Sequence, residues 1–149
     1  IVADFLFPRL KKAVDLLRVY EILVYHDLVE IETGDVPIHL AEKKNLQYEL
    51  VAAQKLQQKL PNILKTRYLD LYQEYHEQKT VEAKFAKLVN ALDATIHELS
   101  YKEDWKGWTV AFYLKKRAPL FEEFPELQPL LKELVEYLTH QGYLSKEIT

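Results

Sequence analysis

Apolar residues recur along this chain in steps of three and four. Leu46, Leu50, Ala53, Leu56 and Leu60 hold one helical face. So do Ile63, Leu64, Tyr68, Leu71 and Tyr75, and then Val81, Phe85, Leu88, Val89, Leu92, Ile96 and Leu99. That period predicts amphipathic helices over 39–60, 62–78 and 80–99. Prolines stand at Pro8, Pro37, Pro61, Pro119, Pro125 and Pro129, where they break helix interiors or open helix starts. Between them the pattern predicts a helical tail over 1–7, a long helix over 10–32, a shorter one over 107–117 and a last one over 126–141, ending near Gly142. No stretch alternates with period two for long enough to predict a strand. No internal repeat, low-complexity tract or linker interrupts the pattern, so the expectation is one all-α domain over 1–149.

Composition sharpens this. A chain of 149 residues, 48% hydrophobic and 29% charged, has the balance of one ordinary globular domain. Three glycines are too few for a glycine-rich phosphate loop, and neither GxGxxG nor GxxxxGK[ST] occurs. The absence of cysteine excludes disulfides, zinc–thiolate sites and a thiol nucleophile. A net charge of −3 gives no general attraction to nucleic acid or to an anionic membrane. No segment approaches the ~18 uncharged apolar residues of a membrane span. IVADFLF has no basic leader, so a cytoplasmic protein is expected. The chain opens on Ile and contains no Met, so its N-terminal helix is expected to be incomplete.

Two loops, 100–108 (SYKEDWKGW) and 118–129 (APLFEEFPELQP), concentrate aromatic side chains. Trp105, Trp108, Phe121 and Phe124 are expected to cap the core, the other reading being a ligand site or subunit contact. Lys115, Lys116 and Arg117 form the longest basic run, expected to be a solvated face.

The candidate chemistry lies in 18–35, RVYEILVYHDLVEIETGD. Val19, Tyr20, Ile22, Leu23, Val24, Tyr25, Leu28, Val29 and Ile31 fall on nearly every face, which predicts a helix buried all round. It nevertheless carries His26, Asp27 and Glu30. Burying such groups without partners costs several kcal/mol, so they must be paired, protonated or bound to metal. Neighbours on a helix project ~100° apart, so His26 and Asp27 can approach one ion from two directions. Glu30 lies four residues past His26 and three past Asp27, placed to meet a water rather than the ion. Asp35 follows Gly34 at the expected helix end. A buried His–Asp hydrogen bond with a helix-end carboxylate is the alternative. On the helix over 80–99, Asp93 lies at the edge of the apolar stripe, either as an inward ligand or as a surface acid, with His97 four residues on. His39, His76 and His140 stand in polar settings and are expected to be solvated.

The run His26-Asp27-x-x-Glu30-x-x-Thr33-Gly34-Asp35 resembles the signature of HD-domain metal-dependent phosphohydrolases, in particular the branch containing bacterial 5′-deoxynucleotidases. VDLLRVYEILVYHD before it and EAKFAKLVNALD (82–93) after it fit that branch in order. The resemblance implies a compact HD-like bundle of about six to seven helices. It implies one divalent cation held by His26, Asp27 and Asp93, acid–base work by Glu30, and Asp35 lining the site. It also implies a small phosphate ester or nucleotide as substrate and a homodimer. The family's first ligand is a histidine on an upstream helix, and none precedes His26 here. Ile31 after Glu30 departs from the His-Asp-x-x-Glu-Asp pattern of alarmone hydrolases and argues against that activity.

An imidazole with carboxylates suits Mn, Co, Fe, Ni or Zn better than an all-oxygen Mg site. The expected reaction is hydrolysis of phosphomonoesters, most of all (deoxy)nucleoside 5′-monophosphates. The rivals are a non-catalytic helical interaction protein with a degenerate site, and a related hydrolase acting on phosphodiesters or nucleoside triphosphates.

Overall fold

The computed structural model describes residues 1–34 and 46–146. Within them the chain is helical, as the apolar period requires: α1 (Val2–Leu6), α2 (Leu16–Tyr25), α3 (Glu30–Thr33), α4 (Leu46–Lys59), α5 (Asn62–Glu77), α6 (Val81–Glu98), α7 (Val110–Arg117) and α8 (Gln128–His140). Short 3-10 turns cover Phe7–Arg9, His26–Val29, Lys102–Trp105, Ala118–Phe121 and Pro125–Leu127. Among the described residues the one β feature is an isolated bridge between Thr109 and Ser145. By its contacts the chain forms two units, Leu16–Ala83 and a second built from Ile1–Asp15 with the chain from Lys84 onward.

In the unit Leu16–Ala83, α2 packs on α5 and α4 packs on both α3 and α5. Arg18 on α2 clamps Glu74 on α5 through Nε (2.9 Å) and Nη2 (2.6 Å). Val29, Ala52, Ala53, Leu56, Tyr68 and Tyr72 form its apolar core, with Tyr25, Leu28 and Leu60 against it. Lys59 reaches Glu32 at 2.5 Å and ties α4 to α3. Proline sets φ at the start of α5, where Pro61 is the N-cap (φ −55°, ψ 143°), and Gln78 ends that helix in the left-handed region at φ 53°.

In the other unit, Phe85, Ala86, Leu88, Val89 and Leu92 make the buried stripe of α6, while α8 contributes Leu131 and Leu138. Thr109 caps α7, its hydroxyl accepting from Phe112 N at 3.0 Å. Trp105, Trp108, Phe121 and Phe124 are all buried, so the aromatic loops do close the core. Trp105 Nε1 donates to Glu98 O (3.0 Å) and the Tyr143 hydroxyl to Leu99 O (2.9 Å). α8 stops as expected at Gly142 (φ 74°), with Tyr143 N donating to Leu138 O at 2.8 Å.

Three expectations are corrected. The helix expected over 10–32 begins only at Leu16: Leu10 leaves the preceding 3-10 turn extended (φ −69°, ψ 138°), and Lys11 N donates to Glu126 Oε1 at 2.7 Å. Its apolar residues are not buried on every face: Val24 is 65% exposed and Ile31 71%, while Val19, Ile22, His26 and Val29 form a single inward stripe. Arg117 does not belong to a solvated face. It is 6% exposed in the last turn of α7, its guanidinium 5.9 Å from the Tyr113 ring, with Nε lacking a hydrogen-bond partner.

Candidate metal centre

The helical path changes at the residues singled out from sequence. α2 ends at Tyr25, His26–Val29 winds as a 3-10 turn, and α3 resumes at Glu30. Such a tightening inside a helical run often marks a functional position. Gly34 then ends α3 with φ 70° and ψ 158°, a left-handed φ that a side chain would strain.

His26 is 5% exposed. Its Nδ1 lies 2.9 Å from Leu23 O. A carbonyl only accepts, so Nδ1 carries a hydrogen and donates it, and in the neutral ring Nε2 is then the nitrogen with the lone pair. Asp27 Oδ1 is 2.8 Å from Nε2, yet the pair lacks hydrogen-bond geometry and Nε2 is a buried nitrogen without a hydrogen-bond partner. The Asp27 side chain is 55% exposed, so the expectation of two desolvated groups holds for the imidazole alone. In the neutral ring Nε2 and Oδ1 are both electron-pair donors, whose mutual repulsion a shared proton or a bound cation relieves, and backbone anchoring of the remote ring nitrogen is the usual support of a metal-ligating histidine. These two residues therefore fit a divalent metal by the chemistry of their donor atoms.

The Tyr75 ring faces the imidazole, centroids 4.2 Å apart and planes tilted by 44°. Further along α5, His76 stacks on Tyr72 at 4.3 Å. Burial pushes the Tyr68 and Tyr72 hydroxyls up to about 12, the carboxylates of Glu32 and Glu49 adding to it respectively. The Tyr68 hydroxyl is buried and without a partner.

Glu30 opens α3 half-buried, one 3-10 turn beyond Asp27. Asp93 is exposed on α6 beside buried Leu92 and Val89, in the unit that does not contain His26. His76, His97 and His140 are exposed, His97 stacking on Tyr101 at 5.5 Å. Asp35 and His39 lie outside the described residues. Among the described residues, no group of three or more His, Cys, Asp or Glu side chains is gathered as a metal cluster, so the geometry brings together His26 and Asp27. Sequence reasoning missed Tyr75 as a neighbour of His26. Its place on the same stripe as Tyr68 and Leu71 signalled burial, but not what it would be buried against.

The chain belongs to the HD domain family, whose model matches residues 1–128. It is 34% identical over 88 residues to the 5′-deoxynucleotidase HDDC2 of Xenopus laevis, covering 58% of this chain and 44% of that protein. It is 25% identical over 120 residues to the human 5′-deoxynucleotidase HDDC2, covering 78% and 58%. The chain thus spans about half the length of these relatives. Its fold is similar to the crystal structure of a "predicted metal-dependent phosphohydrolase" from Magnetospirillum magnetotacticum MS-1, with a TM-score of 0.79 and 32% identity over 96% of this chain and 76% of that one. Among the described residues no helix is long and apolar enough to cross a membrane.

Proposed function

We propose that this chain is a metal-dependent phosphohydrolase acting on phosphomonoesters, with (deoxy)nucleoside 5′-monophosphates as the preferred class. The observation that carries the reading is the His26–Asp27 pair: a buried imidazole, proton fixed on Nδ1, turning an unpartnered Nε2 toward a carboxylate 2.8 Å away. Family membership and the activities for which the relatives are named support the same reaction class. His26 and Asp27, with Asp93 as third ligand, would hold one divalent cation. Such a cation supplies positive charge to phosphate oxygens and makes water more acidic.

Glu30 accepts the proton of the attacking water as its oxygen bonds to phosphorus. It returns that proton to the ester oxygen as the old P–O bond breaks, giving an alcohol and inorganic phosphate. Asp35 supplies a second acidic group to the site. No side chain need act as nucleophile, consistent with a chain without cysteine.

The test is phosphate release by the Mn²⁺- or Co²⁺-loaded protein from phosphomonoesters, set against phosphodiesters and nucleoside triphosphates. Release from monoesters is expected. Asp27→Ala should abolish metal binding, whereas Glu30→Ala should keep the metal and lose turnover by about 10²–10⁴-fold. Full activity in a folded Asp27→Ala protein overturns the reading. A protein that neither holds nor takes up a transition metal points instead to a non-catalytic interaction protein.

A further inference from the structure

The hydrogen bond from Nδ1 to Leu23 O acts at one edge of the His26 ring. It sets the tautomer, and by itself it leaves the ring free to swing out of its plane about that edge. The Tyr75 ring packs against the imidazole at a 44° tilt, 4.2 Å away centre to centre, and opposes that swing. The two restraints are complementary: the carbonyl decides which nitrogen is bare, and the phenol ring decides where that nitrogen is aimed.

Tyr75 is itself well anchored. Its neighbour Glu74 is held by Arg18 of α2 at 2.6 and 2.9 Å. Gln78, in the left-handed conformation that ends α5, donates its side-chain amide both to Tyr75 O and to Ala83 O, the latter at 3.1 Å. The edge of the His76 ring lies against Tyr75, centroids 5.5 Å apart.

We propose that Tyr75 is a positioning residue for the metal centre: its ring, packed on the His26 imidazole, aims Nε2 at the position shared with the Asp27 carboxylate. This rests on the metal reading of the His26–Asp27 pair, and the experiment below separates the two. The role needs the ring and not the hydroxyl, so Tyr75→Phe should preserve it and Tyr75→Leu should lose it.

The measurements are Co²⁺ affinity by calorimetry, the visible absorption of the cobalt-loaded protein, and nitrogen-15 spectra of the histidine side chains in the metal-free protein. Tyr75→Phe is expected to bind Co²⁺ within about threefold of wild type with the same spectrum. Tyr75→Leu is expected to bind about 10–100-fold more weakly, the range seen when a ligand's support is removed, with an altered spectrum and an unchanged circular dichroism profile. In metal-free wild type and Tyr75→Phe, the His26 ring protons should show the upfield shift of a stacked aromatic neighbour, a readout that survives even if Tyr75→Leu fails to fold. Wild-type Co²⁺ affinity in folded Tyr75→Leu, loss of affinity in Tyr75→Phe, or no upfield shift in wild type overturns the positioning role alone. A wild-type protein that shows the shift and binds no Co²⁺ overturns the metal reading, and the positioning role falls with it.

Discussion

Around Trp105 the rings of Trp108 and Tyr143 approach with centroids 5.4 Å away, and the polar tips find backbone carbonyls: Trp105 Nε1 at Glu98 and the Tyr143 hydroxyl at Leu99. Around His26 the aromatic residues of α5 also stack in series, but His26 Nε2 and the Tyr68 hydroxyl end without partners. Arg117 Nε, near Tyr113, is the exception in the first region. Similar side chains thus build two different things. Where the aromatic polar tips are matched, the rings stabilise the fold. Where a ring nitrogen is fixed in place without a hydrogen bond, the molecule accepts a cost of about 1–3 kcal/mol, which a bound cation would offset.

That contrast can be broken from either side. The largest effect on stability should come from Phe124→Ala. Phe124 is fully buried and packs edge-on against Phe85 at 5.5 Å, so its loss should destabilise the protein by about 3–5 kcal/mol. Thermal unfolding should fall by roughly 10 °C, while Co²⁺ affinity of the folded fraction stays unchanged. His26→Leu should do the reverse. The apolar replacement removes an unpartnered buried nitrogen, so stability of the metal-free protein should stay within about 1 kcal/mol of wild type while metal binding disappears. A large drop in metal-free stability would show that His26 holds the fold rather than a ligand.

The smallest effect concerns acid. Glu123 accepts from Lys12 and from Lys84, the latter at 2.6 Å, and these ammonium groups hold its carboxyl down to about 2. A carboxyl lowered on folding contributes stability that is complete above its ordinary value near 4.5 and is lost as pH falls through about 2. The gap in melting temperature between wild type and Glu123→Gln should therefore be constant from pH 7 to about 5 and close as pH approaches 2. A gap that persists at pH 2 would mean the side chain acts through packing.

Much of this architecture is legible in the chain. The stripes Ile63–Tyr75 and Val81–Leu99 set α5 and α6 to within a residue or two, and Gly142 marks the end of α8. What pattern reading loses is what other parts of the chain decide. Nothing local to Leu10 and Lys11 says that the backbone there will run extended or that Lys11 N will meet Glu126. Apolar counting cannot tell the inward Ile22 from the outward Val24, because both are aliphatic and the burying surface comes from other elements. The metal reading of His26 and Asp27 comes from their identities, but their unequal exposure and the Tyr75 contact are properties of packing. Arg117 departs from its expectation for the same reason: a basic run looks solvated until packing beside a tyrosine ring buries one of its members.

The tight turn at His26–Val29 has one more consequence. A 3-10 path advances about 120° per residue, so side chains three apart eclipse one another, and Asp27 comes into column with Glu30 about 6 Å along the axis. The spacing between the two acids is then a mechanical register rather than a loose preference. Deleting Leu28 would rotate every later position by about 120° and point Glu30 off the column, so length should be guarded here more strictly than the identity of the two apolar residues in between.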